Sequence, residues 1–320
     1  TFQVTYDKTT FNVVDEVQGV SFDVTAAQKQ YDTAKEGSEI DIPLVYTAPE
    51  ITGDQLRELL FRDTLASKYT SLSGSSYNRI NNITLAANAV NGTVLLPGEV
   101  FSYNDTLGER TSAKGYLPAG AYVNGRTVDE VGGGICQVSS TIYYCTLYAN
   151  LETVERECHM FAVGYLPLGT DATVNWGTID FQFKNSSEYP IKINCYVDGG
   201  YLYVEILGTN TSGNTYDVET VVTGQTDYSV VYEDDPTLAP GVEEVDTSGH
   251  TGYTCKTYRY TYDSDGNLIN KEQVSSSSYS VQDRVIKVGV TTADTTDTTD
   301  TTATTADTTA TTAADAPGIT

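Results

Sequence analysis

"VGGGICQVSSTIYY", residues 131–144, is the stretch on which the reading of this chain turns. Three glycines run into Cys136, and Val138, Ile142, Cys145 and Ala149 then recur at helical spacing. The stretch is predicted to be a sharp turn feeding a helix whose first turn holds a thiol. Free N–H groups and the helix dipole at that end stabilise an anion. A cysteine there loses pKa and becomes a thiolate near neutral pH. The N–H of Cys136 or Gln137 is placed to hold an oxyanion during acyl transfer. The glycines leave space for a substrate backbone.

A cysteine nucleophile needs a base. The chain has two histidines, His159 in "VERECHMFAVGY" and His250 in the turn-rich "TSGHTG". His159 is the better partner, because it belongs to the same domain as Cys136. A carboxylate should orient it. Asp171 and Asp180 are the candidates, with Asp171 taken first, and spacing alone does not separate them. Cys145, Cys195 and Cys255 read as small core hydrophobes. Cys158 is open between core, disulfide and redox partner. Five cysteines without a CxxC pair argue against both a disulfide framework and a zinc site. No metal or cofactor is expected.

The formal net charge of -25 makes nucleic acid and anionic membrane surfaces poor partners. No apolar run is long enough to span a membrane. The chain opens on Thr1 with no signal-peptide pattern and reads as a trimmed segment. The fold class expected is α+β followed by a small all-β module and a disordered tail. Residues 1–68 form an N-terminal fragment. A helix "ITGDQLRELLFRDTLAS" is predicted there, with Thr52 as N-cap and Gln55 completing a capping box. Residues 69–210 hold a second helix with Ile80, Ile83, Ala87 and Val90 on one face, then the Cys136 helix. The strand "TIDFQF" and a hairpin turning at Gly199-Gly200 follow. Residues 215–289 form the β unit, with a hairpin at Asp265-Gly266. Its Tyr232, Tyr253, Tyr258, Tyr260 and Tyr262 are candidates for stacking on sugars, with strand filling as the competing role. The unit is expected to target and not to catalyse, so that residues 1–210 alone would keep the thiol chemistry. Residues 290–320, rich in Thr, Ala and Asp, cannot bury enough surface to order.

"PGEVFSYN", "GGGICQVSST", "ERECH" and "GTDATV" occur in that order, and residues 76–208 resemble a VanW domain. Residues 215–289 resemble a G-five domain. Residues 1–65 resemble the end of a peptidoglycan-binding module that often precedes VanW domains. The resemblance implies an extracellular, cell-wall-associated protein of a Gram-positive surface, whose partners are peptidoglycan stem peptides and glycan. It implies an L,D-transpeptidase with Cys136 as nucleophile. Gly133, Gly134, Gln137 and Ser139 carry over from the family motif as substrate-binding or oxyanion residues, and Arg156 with His159 from an R-x-x-H pattern. The order Cys then His differs from the better-known L,D-transpeptidase fold, so shared chemistry would be convergent. The competing reading is a wall-binding or adhesive surface protein without turnover. A third keeps the thiol but passes the acyl group to water.

Overall fold

The computed structural model describes residues 5–6, 13–49, 51–123 and 126–290. All but the first residue of the tail expected to be disordered lies outside the described residues. At the N-terminus β1 (Thr5–Tyr6) pairs with β2 (Val13–Val14), and β3 (Gly19–Phe22) with β4 (Leu44–Thr47). Helix α1 (Val24–Thr33), between β3 and β4, buries no side chain. Helix α2 (Gly53–Leu59) has the predicted capping box at Thr52 and Gln55.

The helical reading of "FRDTLAS" is corrected by the structure. Helix α2 stops at Leu60, Phe61 takes φ +52°, and β5 (Asp63–Ser71) follows. Ala66 and Thr70 point inward, and β5 pairs antiparallel with β13 (Tyr201–Gly208). A partner about 140 residues downstream outweighs local helix propensity, as tertiary context commonly does. The boundary expected at residue 68 therefore falls inside a strand of the main sheet.

Next come α3 (Tyr77–Val90), β6 (Val94–Leu95), β7 (Val100–Ser102) and α4 (Tyr103–Leu107). The ribbon β8 (Pro118–Val123) and β9 (Arg126–Val131) leads into α5 (Cys136–Tyr148). Strands β10 (Glu152–Glu155), β11 (Gln182–Lys184) and β12 (Ile191–Asp198) precede β13. The main sheet has the order β5-β13-β12-β6, and a smaller one runs β10-β11-β7. Ile83, Ala87 and Val90 of α3 and Val138, Ile142 and Cys145 of α5 are fully buried. The predicted helical stripes are thus the faces laid on the sheet. Phe181 and Phe183 fill the space between the two sheets' elements with Tyr143, whose ring centroid lies 5.7 Å from that of Phe181.

The β unit comprises β14 (Thr215–Thr226), β15 (Val230–Asp235), β16 (Glu243–Thr247), β17 (Gly252–Tyr262), β18 (Leu268–Tyr279) and β19 (Arg284–Gly289). They form two three-stranded sheets, β14-β17-β18 and β15-β19-β16, with β15 and β19 parallel. The β17–β18 turn is held by Asp263, whose Oδ1 accepts from the N–H of Asn267 at 2.8 Å, with Gly266 at φ +83°. Of the five tyrosines considered for sugar stacking, Tyr232 is exposed and the other four are half-buried. Lys271 covers the Tyr258 and Tyr260 rings at 4.7 and 4.6 Å. Among the described residues no helix is long and apolar enough to cross a membrane.

Phe181 joins the site's support to the core, so Phe181→Ala is expected to lower the unfolding free energy by about 3–5 kcal/mol in denaturant titration. A loss of less than about 1 kcal/mol would mean that the two sheets are not packed through this ring.

Candidate active site

The glycine turn sets where the thiol stands. Gly133 passes so close to the ribbon that a Cβ there would land on the Ala119 carbonyl. Gly134 takes φ +106°, and a Cβ would sit 2.8 Å from Arg79 Cγ. The chain then enters α5, whose first residue is the half-buried Cys136. Its thiol donates to the Val174 carbonyl at 3.4 Å and lies 3.8 Å from the Thr173 hydroxyl. The N–H of Gln137 is engaged by the Gly134 carbonyl at 3.0 Å. Among the described residues the N–H of Cys136 has no protein acceptor. Of the two oxyanion donors considered, only Cys136 has its N–H available.

The same helix positions the opposite wall. Ser139 Oγ donates to the Ala172 carbonyl at 2.8 Å, and the Ala172 N–H donates to Ser140 Oγ at 3.0 Å. This latch sets Asp171 beside His159. His159 gives Asp171 Oδ2 both its backbone N–H, at 2.8 Å, and its ring Nδ1, at 2.6 Å. With Nδ1 committed, Nε2 is the ring nitrogen left free to act on Cys136, whose thiol feels the His159 charge. Arg156 donates to the Asp171 carbonyl at 2.7 Å and to Oδ1 at 3.2 Å. Asp180 is elsewhere. It accepts from Ser102 Oγ at 2.6 Å and the Asn104 N–H at 2.9 Å, holding the start of α4. The choice between the two aspartates therefore falls on Asp171.

Electrostatics follow from this line of groups. Burial pushes the Cys136 thiol up, but the hydrogen bond and charge of His159 and the Val174 and Thr173 contacts leave it below the ordinary value. Burial works against the His159 charge, yet Asp171 and Cys136 together raise its pKa to about 9. Asp171 is pushed up by burial and pulled further down by His159 and Tyr279. The shifts of Cys136 and His159 both run toward the charged forms, thiolate and imidazolium, beside an ionised Asp171. A thiolate is a nucleophile, and an imidazolium is a proton donor for a leaving amine.

Several sequence expectations are relocated. Ser139 is buried and latches Ala172, so it does not face the open side of the thiol. Gln137 is buried, and its amide donates to Thr70 Oγ1 at 3.0 Å and the Ser71 carbonyl at 2.9 Å. Arg156 supports Asp171 from behind, with its remaining arm on Ser277 Oγ at 2.8 Å. Cys145, Cys195 and Cys255 are buried. Cys158 is a free thiol that donates to the Ser278 carbonyl at 3.5 Å. His250 stacks on Phe161 with ring centroids 4.5 Å apart.

The β unit, expected to be separable from the site, makes contacts with its support. Tyr279, at the end of β18, donates its hydroxyl to Asp171 Oδ1 and accepts from the Gly169 N–H at 2.7 Å. Burial and the Asp171 charge push its pKa up, which keeps it a neutral donor. Thr257 donates to the Gly169 carbonyl at 3.2 Å, and the Ser280 N–H to the Met160 carbonyl at 2.7 Å. The β unit is thus one wall of the His159–Asp171 support. No local pattern marks Tyr279, which ends a plain serine run.

Comparison with known proteins gives two matches along the chain. Residues 78–207 match the family described as VanW like protein, and residues 217–291 match the G5 domain. The chain is 37% identical over 173 residues to the uncharacterized protein YoaR of Bacillus subtilis (strain 168), covering 54% of this chain and 57% of that protein. It is 29% identical over 121 residues to the vancomycin B-type resistance protein VanW of Enterococcus faecalis (strain ATCC 700802 / V583), covering 36% and 44%. The chain spans about half the length of these curated relatives. Among solved structures, an IgA1 protease G5 domain is 24% identical with TM-score 0.19, covering 25% of this chain and 92% of its own. A G5 structure of HP0197 is 18% identical with TM-score 0.15, covering 24% and 97%.

The rate of Cys136 alkylation by iodoacetamide should hold as pH falls below about 8.5, the ordinary thiol value, and drop only at the lowered Cys136 value. His159→Ala should move that inflection upward, and an unchanged inflection would sever the pairing. Tyr279→Phe, which keeps the ring, should slow alkylation at neutral pH by about tenfold through the lost charged hydrogen bond. A chain ended at residue 210 should lose at least as much. Wild-type reactivity in a folded truncation would restore the separable reading.

Proposed function

Because the chain joins a VanW-like domain at residues 78–207 to a G5 domain at residues 217–291, we propose that it is a cell-wall-associated acyl transferase. Its substrates are peptidoglycan stem peptides, its nucleophile is Cys136, and its reaction is L,D-transpeptidation at an extracellular surface. The observation that supports this reading is the His159 ring held by the buried Asp171, with its charge acting on the Cys136 thiol at the start of α5.

The residues divide the work as follows. The Cys136 thiolate attacks the carbonyl carbon of the third stem residue. The sulfur–carbon bond forms, and the carbonyl electron pair moves to oxygen. The unengaged Cys136 N–H stands at the helix N-terminus, where such an oxyanion is stabilised. His159 gives its proton to the nitrogen of the terminal residue as the carbon–nitrogen bond breaks, which leaves a thioester. The now neutral His159 takes a proton from the side-chain amine of a neighbouring stem. That amine displaces the thiolate and forms the cross-link. Asp171 keeps its charge throughout and acts by orienting His159 and stabilising its cationic form.

Incubation with disaccharide-tetrapeptides, followed by intact-protein and product mass spectrometry, should show a thioester on Cys136 and cross-linked dimers. Cys136→Ala should abolish both. Asp171→Asn should cut the rate by about 10²–10⁴-fold, the range for a displaced acid–base group. Hydrolysed product without dimers would assign the acceptor to water. No thioester, with Cys136→Ala binding walls as wild type does, would leave the adhesive reading in its place.

A further inference from the structure

Arg110 and Arg79 stand against the glycine turn and Arg156 behind Asp171, and their surroundings differ. Arg156 is committed to Asp171 and Ser277. Arg110 lies between the rings of Tyr103 and Trp176, 5.6 and 5.8 Å from their centroids, and donates to Asn104 Oδ1 at 2.7 Å. Its Nε and Nη1 are closed off from solvent. Arg79 is half-buried on α3 and donates from Nη2 to Gln137 Oε1 at 2.9 Å. Among the described residues it has no carboxylate partner, in a chain with 43 acidic residues against 18 basic ones.

The arrangement holds Arg79 in one orientation. Gln137 is buried, and its amide nitrogen is fixed by Thr70 and Ser71, so its oxygen is turned to the guanidinium. Gly134 leaves the space in which the arginine lies, since a Cβ would stand 3.0 Å from Nη1. A guanidinium has five N–H donors, and the neutral amide engages one arm. In front of it is a cavity of about 510 Å³, lined by Arg79, Gln137, Tyr165 and the serines of residues 71–76. Its lining reaches the first turn of α5. Gln137 follows Cys136 in sequence, and the Tyr165 hydroxyl lies 3.4 Å from Ser140 Oγ, one turn along α5.

We infer that this cavity is a carboxylate subsite, in which Arg79 takes the free C-terminal carboxylate of the peptide whose last amide faces Cys136. The inference rests on the acyl-transfer reading of that thiol and adds the determinant that selects the bond. A planar fork fits a carboxylate bidentately. With the carboxylate held there, the group that leaves is a single amino acid. Its nitrogen takes the His159 proton as the carbon–nitrogen bond breaks and the sulfur–carbon bond forms. Peptides continuing beyond that residue would bring no charge to Arg79. Gln137, read from sequence as a substrate contact, acts instead as a positioning residue for Arg79.

The test is a binding measurement on the full chain carrying Cys136→Ala, so that turnover plays no part. The probes are a disaccharide-tetrapeptide with a free C-terminus, the same molecule amidated only there, and a third amidated only at its side-chain carboxyl. By calorimetry the free acid and the side-chain amide should bind about tenfold or more tighter than the C-terminal amide, as for a charge-assisted pair. Adding Arg79→Gln should erase the difference, and Arg79→Lys should restore part of it. Equal affinities, no binding of any probe, or a contrast that survives Arg79→Gln would overturn the assignment. So would loss on side-chain amidation alone. Thioester formation in the wild-type protein is scored separately, so the chemistry and the subsite fail by different readouts.

Discussion

Asp171 carries a carboxylate at a point with no solvent exposure, and the rest of the site is arranged around that fact. A buried charge left unpaired costs several kcal/mol, about 3–5 when one partner of a pair is removed. Both oxygens are therefore occupied. Oδ2 receives the backbone and ring N–H of His159, 12 residues away. Oδ1 receives Arg156, 15 residues away, and Tyr279, 108 residues away. The backbone of Asp171 is fixed by the Arg156 guanidinium on its carbonyl and by the Ser139 and Ser140 latch on its neighbour. A histidine held this way by backbone and ring has its orientation fixed by one carboxylate oxygen.

The charge balance of the site runs against that of the molecule. The chain has a formal charge of -25, and a negative field disfavours a thiolate. At physiological salt, surface charges are screened beyond about 8 Å. Short contacts in the interior then decide the outcome. The imidazolium of His159 and the N-terminus of α5 both favour negative charge on sulfur. Burial opposes ionisation of each group singly, but it also strengthens the attraction within the pair. The shifts of both groups run toward an ion pair and away from two neutral groups.

Much of this was legible in local pattern. The apolar stripe of α5, the capping box at Thr52 and the Gly199-Gly200 hairpin are set by neighbours a few residues apart. Such features depend on backbone preferences that the sequence displays directly. The strand β5 was misread because its evidence is non-local. Nothing within "RDTLAS" names β13 as its partner. The Cys136–His159 pair was readable because only two histidines occur and one lies outside the domain. Asp171 and Asp180 were inseparable in sequence, since both precede β-like runs, and only the Ser139–Ala172 latch tells them apart. Ser139, Gln137 and Arg156 were read as contacts to substrate because they sit in the motif. Their side chains instead hold other residues in place. Tyr279 was invisible, because its role is defined by a carboxylate 108 residues upstream.

That last contact changes how the two domains are understood. The hydrogen bond from Tyr279 favours the ionised form of Asp171. By linkage the ionised carboxylate favours the docked position of the β unit to the same extent. The imidazolium of His159 depends on that carboxylate, and the thiolate depends on the imidazolium. A free energy of docking is therefore coupled to the charge of Asp171 and, through His159, to that of the Cys136 thiol in the other domain. A β unit that only tethered the chain would need none of these contacts at Asp171, Gly169 and Met160. Placing its strands against the far side of the His159–Asp171 pair ties the β unit to that pair, and it explains why the buried Tyr279 hydroxyl is directed at a carboxylate and not at solvent.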